Sequence, residues 1–287
     1  MSGQNTIYEM VTERIVSLLE SGVVPWRKPW SGSRSVELPM NYVSSKAYRG
    51  INTFLLMCMG FSSRYWMSFK QAEEKGGHVR KGEKATPVIF WKRYETKDRK
   101  TGEDIEVPVL RYYNVFNLDQ IEGVAAQDAP KPVNHDFVPV DAAQSIIDAM
   151  PNPPTITHGG VRAFYRSSED LVTLPPQELF EQAEEYYSTA FHELTHATGH
   201  EKRLNRRPST EIRHFGDREY SQEELCAEMG SAYLCAEAGI SQCVIENQAA
   251  YIDGWLRVLK SDSKMVVVAA AQAQRAADFI LGRKFEG

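Results

Sequence analysis

The sequence predicts an α+β protein of two domains, a small α+β domain followed by a mostly helical one that carries a small antiparallel sheet. Three observations lead there. The 287 residues exceed what one hydrophobic core usually serves, about 150 to 250 residues. The stretch Ala125-Ala126-Gln127-Asp128-Ala129-Pro130-Lys131-Pro132 fits neither a helix nor a central strand and reads as a linker. Charge changes across it: residues 1–125 hold 18 Lys and Arg against 14 Asp and Glu, a net of +4, whereas residues 126–287 hold 15 against 24, a net of −9. The expected boundaries are therefore 1–125, a linker over 126–136, and 137–287. A basic front on an acidic back implies different partners for the two halves.

The front half reads in order as follows. Ile7, Met10, Val11, Ile15, Leu18 and Leu19 follow helical spacing, and Gly22 closes that helix. A rigid turn follows at Pro25-Trp26-Arg27-Lys28-Pro29-Trp30. An apolar helix is expected over 53–59 behind Arg49-Gly50-Ile51-Asn52, and another over 68–75 closed by Gly76-Gly77. Residues 87–94 and 105–116 read as two strands joined by a charged turn near 98–102. In the back half, Leu171–Leu174 reads as a strand at a sheet edge, and helices over 244–259 and 262–281 are expected to complete the core.

A hydrophobic content of 42% with 25% charged residues is that of an ordinary globular protein. No apolar run approaches the length of about 18 residues that a membrane helix needs, and the N-terminus has no apolar signal core. Neither membrane insertion nor secretion is expected. Cys58, Cys226, Cys235 and Cys243 show no C-x-x-C spacing and sit among apolar residues, which suits buried thiols in a reducing cytoplasm.

Aromatic and basic side chains interleave through the front half: Trp26, Arg27, Lys28 and Trp30; Arg49; Arg64, Tyr65 and Trp66; His78, Arg80, Lys81 and Lys84; Trp91, Lys92, Arg93 and Tyr94. Single-stranded nucleic acid takes this combination, because cations follow phosphates while rings stack on unpaired bases. The competing reading is a half-buried sheet with solvated turn charges, and no segment reads as a helix-turn-helix or zinc finger.

The back half holds His192-Glu193-Leu194-Thr195-His196 inside a helical run over about 181–200. Four residues return a side chain to the same helix face, so both imidazoles can reach one Zn(II), with Glu193 placed to act as general base on a water beside it. Tyr186, Tyr187, Ala190, Phe191, Leu194 and Ala197 supply the buried stripe, and Gly199 can end the helix.

Such a site needs a third protein ligand. The run Ser221-Gln222-Glu223-Glu224-Leu225-Cys226-Ala227-Glu228 offers Glu224 as ligand and Glu228 as an acceptor that orients an imidazole, with the reverse assignment next. A capping box between Ser221 and Glu224 is the competing use of Glu224. The metzincin pattern fails because position 202 is Lys202; His200 falls beyond Gly199, and His214 is a weaker alternative. Tyr165 and Tyr220 are candidates for an oxyanion donor, and the strand Leu171–Leu174 for pairing with an extended peptide.

Several of these segments resemble one family. The motifs Pro25-Trp26-Arg27-Lys28-Pro29-Trp30, Tyr48-Arg49-Gly50-Ile51-Asn52, Gly82-Glu83-Lys84 and Tyr112-Tyr113-Asn114-Val115-Phe116-Asn117 resemble the N-terminal domain of ArdC-type antirestriction proteins, shared with TraC-type plasmid primases. Tyr165-Arg166-Ser167-Ser168-Glu169-Asp170, the stretch from Phe191 to His200, Arg203-Leu204-Asn205-Arg206 and Glu223-Glu224-Leu225-Cys226-Ala227-Glu228 are similar to that family's zincin-like metallopeptidase domain. The resemblance implies single-stranded DNA binding by the front domain and protection of incoming plasmid DNA from host restriction during conjugation. It implies a gluzincin-like site with zinc as cofactor, manganese or cobalt being alternatives. After the linker the chain reads as peptidase, so primase activity is not implied. Three classes follow: a DNA-tethered protease, a DNA-coating protein with a structural metal domain, and an interaction protein that docks a host restriction enzyme.

Overall fold

In the computed structural model the described residues are 2–26, 38–97, 103–124, 139–206, 218–240 and 248–283. They form an α+β protein that divides into two compact units, residues 1–15 with 38–129 and residues 16–37 with 130–287.

The first unit begins in helix α1 (Ser2–Glu20), whose Val11 and Ile15 are buried and which Gly22 ends at a positive φ of 81°. Strand β1 (Met40–Asn41) precedes helix α2 (Ile51–Met57), which starts after Gly50 and buries Ile51, Phe54, Leu55 and Leu56. Strand β2 (Tyr65–Met67) leads into helix α3 (Phe69–Glu74), capped by Ser68 and Gln71 in a reciprocal capping box. Strand β3 (His78–Val79) pairs with β6 (Ile121–Glu122), and the long hairpin of β4 (Thr86–Lys97) and β5 (Asp104–Asn117) completes a sheet ordered β1-β2-β5-β4. The short strands β1, β2, β3 and β6 escape a periodicity reading because two or three residues show no period.

Two features fix the hairpin. Asn52 donates to the carbonyl of Ile89 at 2.7 Å and accepts from its amide at 2.8 Å, which covers the outer edge of β4 and gives the Gly50-Ile51-Asn52 motif its use. Val88 and Val115 anchor the base in a core with Tyr48, Leu56 and Trp66. From Phe90 onward every described residue of β4 is exposed on both faces, so the distal hairpin projects as an arm.

In the second unit, beyond residues 16–37, come α4 (Pro139–Asp148) and three strands, β7 (Thr155–His158), β8 (Phe164–Arg166) and β9 (Leu171–Leu174). Their order is β7-β9-β8, with β9 antiparallel to β8 and parallel to β7. The sheet is thus mixed, because the tight β8–β9 turn at Asp170 (φ 50°) folds β9 back into the middle. Leu171–Leu174 is consequently the central strand and has no free edge, contrary to the sequence expectation; β8 is an outer strand, and it lies against α5.

Helices α5 (Ala183–Ala197), α6 (Arg218–Ala238), α7 (Gln248–Ser261) and α8 (Met265–Ile280) follow. Helix α6 packs on α4, α5 and α8, and its residues from Leu225 to Ala236 are all buried. A helix apolar or small on every side belongs in the centre. The alanines of α8 at 269, 270, 273, 276 and 277 are buried and allow close approach to it. Helices α5 and α6 run antiparallel, since Ser231 meets Ser188 at one end and Glu223 meets His196 at the other.

Between those ends Gly230 faces Thr195 so closely that an added Cβ would lie 2.5 Å from Thr195 Cγ2. Gly230→Ala is therefore expected to lower stability by about 1–3 kcal/mol through overpacking, although alanine is the better helix former by about 1 kcal/mol. Chemical denaturation of the two proteins checks this, and an alanine variant as stable as the wild type would contradict the close approach.

Candidate functional site

The last two turns of helix α5 carry both histidines. His192 and His196, one turn apart, turn their Nε2 atoms toward each other at 3.2 Å. Across from them, Glu224 of α6 brings its carboxylate oxygens within 3.7 Å of His192 Nε2 and 3.5 Å of His196 Nε2. Among the described residues these three form the group that could hold a metal ion, with ligand atoms mutually within 4.8 Å. A tetrahedral ion with bonds of about 2.0–2.1 Å spaces its ligand atoms about 3.3 Å apart. The donor set fits a divalent ion. Glu193 is buried beside His192.

The alternative uses of these residues fall away on the geometry. Helix α6 starts at Arg218, so Ser221 and Glu224 lie inside it and form no capping box. His200 lies beyond Thr198, which ends α5, and its Nδ1 accepts from the Lys202 amide. His214 lies outside the described residues. The Tyr165 hydroxyl is committed to Asp170 at 2.9 Å and Arg203 at 3.4 Å, whereas Tyr220 donates to Glu224.

Besides the expected Glu228, Glu223 from the preceding turn of α6 also lies against an imidazole. Glu223 Oε1 lies 3.2 Å from His196 Nδ1. Glu228 is buried and acts on His192 as a negative charge. Burial opposes ionisation of Glu223, yet hydrogen bonds from His196 and Arg206 hold its carboxyl well below the usual range. Burial likewise opposes Glu224, but His192, His196 and Tyr220 bring it down to about 2. Burial alone would lower the His192 pKa; Glu224, Glu228 and Glu193 reverse that and raise it.

Two arginines in the turn after α5 hold this end of the helix together. The last helical carbonyls have no partner within the helix. Arg203 Nε donates to Ala197 O at 2.8 Å, and the rest of its guanidinium reaches Asn152 O, Tyr165 and Asp170. Arg206 donates to Thr195 O and Thr198 Oγ1, each at 2.9 Å, and to both oxygens of Glu223. Neither Arg206 nor Glu223 has a role visible in the sequence; a cation shortly past the end of the metal helix is the signal that could have found them.

The aromatic and basic residues of the front half separate into three groups. Trp26 is fully buried in the second unit, its Nε1 donating to Tyr251 at 2.9 Å and its ring meeting Trp255 edge-on at 5.9 Å. It is a core residue, as are Trp66 and Tyr65, and offers no face to a base. Arg27, Lys28 and Trp30 lie outside the described residues. Arg49, Lys81 and Lys84 belong to the surface of the first unit, and Arg80 is tied to Glu83 at 3.1 Å.

The arm carries the third group. Cross-strand pairing puts Val88 with Tyr113, Phe90 with Arg111, Lys92 with Val109 and Tyr94 with Val107 on one face. There Phe90 meets Tyr113 edge-on at 5.6 Å, while Lys92 and Arg111 both lie over the Tyr94 ring. Trp91 and Arg93 fall on the opposite face with Tyr112, and Arg93 is paired with Glu106 at 3.4 Å. The expected trio of Trp91, Lys92 and Arg93 is thus divided by the pleat.

The architecture of the second unit, with its two-histidine helix and opposing carboxylate, defines a zincin-like domain, and residues 141–272 match the zincin-like metallopeptidase family. Residues 5–116 match the N-terminal domain of the anti-restriction factor ArdC. The metal-free crystal structure of the antirestriction ArdC protein from plasmid R388 is 38% identical over 95% of this chain and 96% of that one, with a TM-score of 0.73. The Mn(II)-bound structure of that protein gives 36% identity over 96% and 97%, with a TM-score of 0.74. An uncharacterized Sinorhizobium fredii protein, y4eC, is 35% identical over 96% of this chain and 91% of its own length. The chain belongs to the ArdC family of antirestriction proteins. Two Escherichia coli proteins named DNA primase TraC are 38% and 37% identical over 98% and 96% of this chain, which spans only 20% and 27% of their lengths.

The Arg203 cluster yields a measurable stability effect. The side chain is fully buried and paired with Asp170, whose pKa is lowered because the Arg203 and Tyr165 hydrogen bonds outweigh burial. Arg203→Ala leaves that carboxylate without its cation and is expected to cost about 3–5 kcal/mol in denaturant unfolding. A depressed carboxyl pKa contributes stability above its unfolded value, and the contribution disappears as pH falls through the folded value. The destabilisation caused by Arg203→Ala should therefore shrink as pH is taken below the usual aspartate range, and a destabilisation that grows there would contradict the pairing.

Proposed function

We propose that this protein binds single-stranded DNA through its first unit and carries a metal-dependent peptidase site in its second, the two serving to protect incoming plasmid DNA from host restriction. The observation that carries the enzymatic part is the convergence of two imidazole Nε2 atoms and the Glu224 carboxylate at spacings suited to one divalent ion. The exposed aromatic and cationic face of the arm supports the DNA part, and the ArdC likeness supports the joint reading.

A Zn(II) ion, or Mn(II) or Co(II) in its place, would be held by His192, His196 and Glu224 and would supply Lewis acidity to a water and a scissile carbonyl. Glu193 takes the proton from that water and returns it to the leaving amine. Tyr220 donates to Glu224 and so helps to hold that carboxylate in place. An extended peptide adds to the sheet at β8, the outer strand that lies against α5.

On the arm, bases stack on Phe90, Tyr94 and Tyr113 while Lys92 and Arg111 take the phosphates. No described helix is long and apolar enough to cross a membrane.

Two measurements follow. Replacing Phe90, Tyr94 or Tyr113 by Ala is expected to weaken single-stranded DNA binding by about 1–3 kcal/mol each, and removing Lys92 or Arg111 should flatten the salt dependence by about 0.7 for each phosphate no longer neutralised. Fluorescence anisotropy over a salt series reads both, and unchanged binding would remove the arm from the interface. Glu193→Gln is expected to retain the ion and lose peptide cleavage. In a restriction-protection assay its failure to protect supports the DNA-tethered protease; full protection, with failure only in the arm variants, makes binding alone the function.

A further inference from the structure

His196 is gripped from behind before any ion arrives. Its Nδ1 faces Glu223 Oε1 at 3.2 Å, and both oxygens of Glu223 accept from Arg206 at 2.9 Å. The three side chains are nearly enclosed, with exposures of 8%, 14% and 7% for His196, Glu223 and Arg206. An ionised carboxylate only accepts, so the hydrogen of the neutral imidazole resides on Nδ1 and the Nε2 lone pair is left for a ligand bond. Nε2 is the atom that faces His192 and Glu224.

We infer that Arg206 and Glu223 are positioning residues that lock His196 in the Nδ1–H tautomer and so set the metal affinity of the site. The inference rests on the metal reading of His192, His196 and Glu224. Two adjacent glutamates thereby serve different ends, Glu224 facing the ion while Glu223, about 100° further round the helix, faces the back of the imidazole. Arg206 makes the division possible because it holds both oxygens of Glu223 in place, with its remaining hydrogen bonds fastened to Thr195 O and Thr198 Oγ1 at the end of the same helix. A carboxylate that orients a ligand histidine typically changes metal affinity by about 10–100-fold when removed.

The test separates positioning from simple stapling. Removing one partner would bury an unpaired charge, whereas replacing a buried ion pair by apolar groups of similar size is often tolerated. The double variant Arg206→Met with Glu223→Leu is therefore made beside Glu223→Gln, which keeps side-chain shape and serves if the double variant does not fold. Nitrogen-15 imidazole NMR of the metal-free protein reads the His196 tautomer, and competition against a chromophoric chelator reads Zn(II) and Mn(II) dissociation constants.

The wild type is expected to show His196 as Nδ1–H. The folded variants should show Nε2–H or a mixture, with affinity weakened about 10–100-fold in the double variant and less in Glu223→Gln. An Nε2–H tautomer in the wild type, or dissociation constants unchanged in folded variants, overturns the inference. Failure of the wild type to take up either ion overturns the metal reading instead, and the tautomer recorded without metal still judges the clamp.

Discussion

The antiparallel contact between α5 and α6 is the constraint on which the rest of this protein depends. Within it Gly230 lies directly against Thr195, leaving no room for a Cβ without a shift. From there the helices carry Glu223 and Glu224 past the last turn of α5, within reach of two imidazoles. A carboxylate on α6 meets a nitrogen on α5 only while that spacing holds. Small residues on α6 and α8 keep the whole helical stack close, and Ser231 bonded to Ser188 O fixes the far end.

Burying so many ionisable groups is costly unless each has a partner. The site meets that cost by giving each group a partner: Arg206 with Glu223, Glu223 with His196, and the imidazoles with Glu224. Arg203 with Asp170 repeats the device on the sheet side of α5. Both arginines also donate to carbonyls at the end of α5, Arg203 to Ala197 O and Arg206 to Thr195 O, so one short turn braces the helix end and sets the electrostatics of the site. Removal of either arginine is felt twice, in the helix end and in the buried carboxylate.

Much of this was legible in the residues, for reasons that differ by element. The spacing of His192 and His196 is local and helical, so their shared face could be read without any fold. The pairing of Glu224 with them needed a second helix, and the sequence offered it only as one acid among several. Its neighbour Glu223 points elsewhere because adjacent helical residues diverge by about 100°. Trp26 resembled a stacking platform, yet its partners Tyr251 and Trp255 lie more than two hundred residues away, a distance no local pattern encodes. The strand Leu171–Leu174 was recognisable as a strand, but its central place follows from the β8–β9 turn. Alternation along β4 was masked because the strand is exposed from Phe90 onward, and only the cross-strand register shows that Lys92 shares a face with Phe90 and Tyr94 while Trp91 and Arg93 do not.

The chain thus joins an arm with an exposed aromatic and cationic face to a helix pair whose donor set fits a divalent ion, each built on its own core. The most direct test is anomalous diffraction from crystals loaded with Mn(II) or Zn(II), with the coordinating atoms identified. One strong peak is expected, bonded by His192 Nε2, His196 Nε2 and a Glu224 oxygen, with a position left for water. A peak bonded through an imidazole Nδ1, or one coordinated by Glu223 or Glu228 in place of Glu224, would contradict that assignment.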